Sequence, residues 1–229
     1  MATDHESERP APPEARIILR PLGSPLPLGF FAFSVGAVLL GVQEFGWVAP
    51  QETKTLAMML LVFCAPLEAV SSILAFLARD SGAGSGMGLF AGSWVVTALV
   101  LLTSPPGQTS TAFGVFLLTD ALAILATGIA AVRGKMLVGV LLIVAAIRFV
   151  LAACYELGAG RGVDSASAGL GLLLGAIGLY GALALLLEDL KQAAVLPTFR
   201  TGAARNALKG TTERQVQDAR RDAGVRQRL

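Results

Sequence analysis

The chain has 229 residues, of which 54% are hydrophobic and 15% charged, with a formal net charge of +2. A soluble domain carries nearer a quarter charged residues, and a mean hydropathy of +0.68 argues against a water-soluble fold and for a chain that uses lipid as solvent. The two cysteines, Cys64 and Cys154, lie in apolar runs and read as reduced and buried. The one histidine, His5, is in the polar N-terminal stretch, so no metal site and no cofactor is expected.

Residues 1–23 are polar and proline-rich, with Pro10, Pro12 and Pro13 among mixed charges, and read as a loosely packed tail rather than a cleavable signal. Six apolar segments follow, near 28–49, 56–78, 86–104, 111–132, 136–157 and 167–189. Each is close to the ~20 residues that a helix needs to cross hydrocarbon. The glycine-rich SGAGSGMG makes the start of the third hard to place. The fold class is therefore all-α and polytopic: a polar tail (1–23), a six-helix membrane domain (24–197) and a basic C-terminal tail (198–229).

Lysine and arginine placement predicts the orientation. Arg9, Arg16, Arg20, Arg79, Arg133 and Lys135 fall on the side of the termini, with Lys54 and Arg161 on the other. Both termini are expected in the cytoplasm, in a plasma membrane; the Ala- and Gly-rich composition suggests a bacterial inner membrane. Nine basic residues over 190–229 alternate with Glu213, Asp218 and Asp222. That pattern reads as a solvated tail, with contact to anionic lipid as the alternative. No motif supports nucleic-acid binding.

The first segment opens on Ser24-Pro25-Leu26-Pro27-Leu28-Gly29. Proline at the start of a helix is ordinary, but two prolines beside a membrane segment could also leave carbonyls free to line a wet path. The sixth segment carries Gly171, Gly175, Gly178 and Ala182, and the first carries Gly29, Gly36, Gly41 and Gly46. Small residues let helix backbones approach closely, which suits a compact bundle, an oligomer, or both.

Charges inside the apolar runs are costly, roughly 2.5–3.5 kcal/mol each on insertion scales, and mark polar cavities or partners. Glu68, Asp120, Arg148 and Glu156 are such residues, with Glu44 nearer a helix end. Glu68 shares a helical face with Ser71 and Ser72. Asp120 and Arg148 lie about 14 residues either side of the Arg133–Lys135 turn, so both sit roughly 20 Å down at 1.5 Å per residue. An Asp120–Arg148 ion pair is open, either as a structural neutralisation or as an anion site at Arg148 with Asp120 as gate or proton carrier.

These residues resemble the acetate uptake transporter family (GPR1/FUN34/YaaH). SPLPLGF at 24–30 is similar to its N-P-A-P-L-G-L opening, and Gln43-Glu44-Phe45-Gly46-Trp47 stands at its H-N-x-G-aromatic stretch. Ala91-Gly92-Ser93-Trp94-Val95 is similar to its Y-G-S-F-W, Arg133-Gly134 to its basic-glycine turn, and the run from Gly175 to Leu196-Pro197 to its last helix and exit. The resemblance covers about 24–198. It implies a six-helix bundle assembling as a hexamer, with a pore in each protomer for small carboxylate anions such as acetate and succinate.

Departures from the family also carry expectations. Ser24 and Leu26 replace the signature asparagine and alanine, and Ala91, Ala112 and Ala145 fall where the family narrows its pore with Tyr, Phe and Leu. A pore wider than the family's is expected, with Asp120 and Arg148 added where the family is apolar. The substrate path would then involve Ser24, Pro25, Leu26, Pro27, Leu28, Gly29, Glu68, Ala91, Ala112, Asp120, Ala145 and Arg148. The alternative is a non-transporting scaffold or sensor that binds a partner through its C-terminal tail. An intramembrane enzyme has little support: there is no HExxH, and GLGLLLG at 169–175 lies within an apolar run.

Overall fold

A computed structural model describes residues 23–105, 107–191, 193–202 and five isolated positions beyond, 205, 211, 213, 214 and 217. The expectations for residues 1–22 and for most of the basic tail fall outside the described residues. Six helices are long and apolar enough to span a membrane: α1 (Leu26–Glu44), α2 (Pro50–Leu77), α3 (Ser81–Thr103), α4 (Thr111–Val132), α5 (Met136–Glu156) and α6 (Arg161–Lys191).

Local chemistry sets the ends. Pro25 caps α1, and Pro27 occupies its first turn, where a missing N–H costs nothing. At the far end of α1, Gly46 adopts φ +72°. Its N–H donates to the Gln43 carbonyl and that of Trp47 to Val42, both at 2.9 Å, closing a Schellman motif. Asp80 Oδ1 caps α3 by accepting from Ala83 N at 3.2 Å, and Ser110 Oγ caps α4 by accepting from Phe113 N at 3.3 Å. Within α2 the turn Leu60–Cys64 is π-helical. It immediately precedes Ala65-Pro66, and widening the turn accommodates a proline that cannot donate.

The helices differ from the expected segments mainly at three starts and one end: α6 begins at Arg161 rather than 167 and α1 ends at Glu44 rather than 49. α2 begins at Pro50 with a 3-10 turn, Pro50–Glu52. α3 begins at Ser81, so the glycine run is helical. Close packing explains it: a Cβ at Gly84 would lie 2.8 Å from the Phe76 ring, one at Gly88 3.0 Å from Ser72 Oγ, and one at Gly86 3.3 Å from Leu142.

The densest pairings are α4 with α5, α1 with α6, and α2 with α3. The small-residue stripe of α6 therefore serves the fold of one chain. A Cβ at Gly181 would meet Phe30 at 2.7 Å, and one at Gly171 would meet the Ala37 carbonyl at 3.2 Å. Large apolar side chains such as Phe31, Val62, Ile73, Leu122, Ile147 and Leu183 are exposed around the outside, where lipid or a second chain can cover them. Both described ends of the chain and the α2–α3 and α4–α5 turns share one end of the bundle; the other three connections share the opposite end.

After α6 the chain turns back. Tyr180 donates to the Pro197 carbonyl at 2.9 Å, and Thr198 Oγ1 to Glu188 Oε2 at 2.9 Å. Arg200 forms an ion pair with Glu188. Thr201 donates from its N–H to Gly134 O at 3.0 Å and from Oγ1 to Arg133 O at 2.9 Å. The folded unit thus continues past the expected boundary at 197, because these residues close hydrogen bonds at the α4–α5 turn.

Candidate functional site: a polar vestibule closed by aromatic rings

All six helices contribute to a cavity of about 350 Å³ that opens at the end of the bundle away from the described termini. Two arginines, Arg148 and Arg161, and three carboxylates, Glu44, Glu156 and Asp164, line it.

Arg148 is the one basic residue in the middle of a described span. It projects from α5 toward α1 and α6, and its Nη2 donates to Glu44 Oε1 at 2.6 Å. The Arg148 side chain is 5% exposed and that of Glu44 15%. Gly171 of α6 makes room for the guanidinium, since a Cβ there would lie 2.9 Å from Nε. The pair is only half satisfied: Arg148 Nε has no hydrogen-bond partner among the described residues, while Glu44 Oε2 faces the Ser167 hydroxyl of α6, which is positioned to donate to it without closing a full hydrogen bond. A buried pair of this kind is weak evidence of stability, and donors left open beside a cavity can receive a ligand.

The expected Asp120–Arg148 pair does not form. Asp120 faces α3, where its carboxyl bonds the Ser93 hydroxyl. The two side chains leave their helices in different directions, and depth alone does not fix azimuth. Glu44 is the partner that the sequence reading passed over. A usable signal was present: pairing the small residues of α1 and α6 would have brought the end of α1 beside Arg148.

Below Arg148 the cavity ends on aromatic rings. Phe33 and Phe90 have centroids 4.5 Å apart, Phe33 and Trp94 6.1 Å, and Phe90 and Phe149 6.3 Å. Phe30 and Met87, both buried, continue the filling toward the other end. The three alanines expected along the pore do not line this cavity. Ala91 and Ala145 are buried in helix packing, Ala112 is exposed, and none lines the cavity.

Glu68 is fully buried, and both its oxygens lack a closed hydrogen bond among the described residues, as does Trp94 Nε1. The Trp94 indole is the group positioned to donate to it, and Trp94 also lines the cavity. Glu68 therefore lies one side chain behind the vestibule wall. Ser71 and Ser72, expected on its face, donate to Pro25 O at 2.8 Å and Gly84 O at 2.7 Å. Glu156 Oε2 accepts from Ser110 N at 2.6 Å, tying the end of α5 to the start of α4.

SPLPLG lies at the opposite end of the bundle. Ser24 and Leu28 are exposed, Pro25 is half-buried, and Leu26, Pro27 and Gly29 are buried. The Pro25 carbonyl accepts from Ser71 Oγ and from Gly29 N, so it is not free to line a path. None of the six lines the cavity. The stretch acts as a tightly packed helix start.

Among the described residues, no group of three or more His, Cys, Asp or Glu could hold a metal ion.

The fold and the vestibule define a six-helix, multi-pass membrane protein with a polar cavity leading to its centre. The family model for the GPR1/FUN34/yaaH family matches residues 8–201, and the chain belongs to that family. Among solved structures, "Structure of the bacterial acetate channel SatP" is similar, with a TM-score of 0.69 at 19% identity over 77% of this chain and 99% of that one. At that identity the likeness concerns the fold. Among curated proteins, none matches.

Proposed function

We propose that the chain is a channel or transporter for small carboxylate anions of the acetate and succinate size. The observation that carries this is the buried Arg148 guanidinium at the inner end of the vestibule, with Nε unpartnered and Nη2 engaged by a carboxylate. Guanidinium and carboxylate match as a two-point hydrogen-bonded pair, and Glu44 already illustrates half of that pairing. The acetate channel named among similar structures supports the same substrate class.

In this reading an anion enters the vestibule, exchanges onto Arg148, and passes when the Phe33–Phe90–Phe149 layer parts. Proton coupling would use Glu68 behind Trp94 or Asp120 beside Ser93. Termini in the cytoplasm follow from the basic-residue bias, the Ala- and Gly-rich composition suits a bacterial plasma membrane, and the exposed apolar faces suit a homo-oligomer, which the family resemblance puts at six.

The closed aromatic layer favours one second reading, a non-conducting scaffold or sensor that works through its C-terminal tail. One experiment separates the two. Purified full-length chain in proteoliposomes is given a series from acetate to succinate to citrate, beside Arg148→Ala. Flux of acetate and succinate that falls at least about tenfold in the variant, the loss of one charge-assisted contact of about 1.4 kcal/mol or more, supports transport. Folded protein with no flux of any acid rejects it.

A further inference from the structure

Glu44 and Arg148 are not equivalent partners. Arg148 rises from the middle of α5 and is walled by Gly171. Glu44 is the last residue of α1, next to the turn that ends on Gly46, and keeps three times the exposure of Arg148. It lines the cavity at a helix end, so its carboxylate can turn away from Arg148 without disturbing a helix, parting also from the Ser167 hydroxyl positioned to donate to it. The Arg148 guanidinium packs against α6 at Gly171.

The charge of the vestibule points the same way. Three carboxylates against two arginines line it, so acids of the chain itself outnumber the cations that an incoming anion could use. Glu156 is occupied by Ser110 N, whereas Asp164 and Arg161 of α6 face the same space as Glu44. Among the described residues, Glu44 is the carboxylate bonded to Arg148.

We propose that Glu44 is a tethered gate: its carboxylate occupies the anion site at Arg148, and a substrate carboxylate binds by displacing it into the vestibule. This rests on the reading of Arg148 as the anion site, but not on transport. Resting protein is then self-occluded. Apparent affinity for a free carboxylate falls by the fraction of time that Glu44 is away from Arg148. An internal competitor also selects against weak anions, since each must outcompete a carboxylate already in place.

The test is calorimetric titration of the full-length protein in detergent with acetate and with succinate, for wild type, Glu44→Gln, Arg148→Gln and the double variant. With the gate closed at least nine-tenths of the time, Glu44→Gln binds acetate about tenfold tighter than wild type or better. Arg148→Gln abolishes binding, and the double variant does not regain it. Equal or weaker binding by Glu44→Gln overturns the gate, and so does a gain that survives in the double variant. Absence of binding in every protein overturns gate and site together. Should Glu44→Gln fail to fold, Glu44→Asp, one methylene shorter, is expected to tighten binding by less and in the same direction; weaker binding there overturns the proposal. Tightened binding without flux in proteoliposomes would remove the transport reading and leave the gate standing.

Discussion

At the scale of single residues, the vestibule depends on one absent side chain. Gly171 stands where α6 passes both the Arg148 guanidinium and the Ala37 carbonyl. Gly171→Ala would put a methyl 2.9 Å from Nε and 3.2 Å from that backbone oxygen. The oxygen belongs to a helix backbone and cannot give way alone, so overpacking should cost about 1–3 kcal/mol and displace the guanidinium. Gly169, on the same helix, has nothing within 4 Å. Gly169→Ala should be neutral or raise stability by up to ~1 kcal/mol. Thermal unfolding of the two variants in detergent checks the contrast, and equal behaviour would mean that α1 and α6 are not packed as described. The residue scale is also where the sequence was hardest to read. That Arg148 and Asp120 are buried at a common depth follows from counting residues along two helices. That Arg148 turns to Glu44 and Asp120 to Ser93 depends on helix rotation, to which the spacing of apolar residues gave no guide because these helices are apolar on nearly every side. The same ambiguity moved Ala91, Ala112 and Ala145 off the cavity: an error of one residue turns a side chain about 100°.

At the scale of helices, the six spans were legible from length and hydropathy: each matches expectation to within about two residues at one end at least, and α4 and α5 do so at both. Glycine misled in one place. Its low helix propensity left 81–85 outside the expected third segment, yet packing of Gly84 against Phe76 and Gly88 against Ser72 more than offsets it. Pairing between helices was partly legible. The short α4–α5 turn implied neighbours, and they are the densest pair; the small-residue stripe of α6 left its partner open until α1 was seen against it. One tie between elements is testable by itself. Glu156 accepts the Ser110 N–H and so holds the end of α5 to the start of α4. Glu156→Ala leaves that donor without its partner and should lower stability by about 1–3 kcal/mol. Carboxylate affinity should change little, because Arg148 and Glu44 keep their bond. Paired melting and acetate-titration measurements check this, and a large loss of affinity at unchanged stability would instead place Glu156 on the anion path.

At the scale of the whole molecule, the question is which parts of the chain the membrane domain needs. A boundary at 197 followed from the L-P dipeptide, beyond which composition turns basic. Hydrogen bonding extends the folded unit, because Thr198 and Arg200 close on Glu188 and Thr201 closes on the α4–α5 turn. Glu188 is 4% exposed, so removing its partners strands a carboxylate. Truncation after Gln192 should therefore destabilise the protein by about 2–3 kcal/mol, below the 3–5 kcal/mol of a fully buried pair because the Arg200 side chain is 20% exposed. Glu188→Gln within the shortened chain should recover part of that loss, since a neutral amide is cheaper to leave unpaired than a carboxylate. Truncation after Gly202 keeps every one of these bonds and should melt like the full chain. Melting curves of the three proteins test the strap, and proteoliposome flux from the chain ending at Gly202 tests the function assigned to the remainder. A transporter whose path lies in the six helices conducts without residues 203–229. A scaffold that works through its tail loses its partner with them, so retained flux in this truncation would remove the tail from the mechanism.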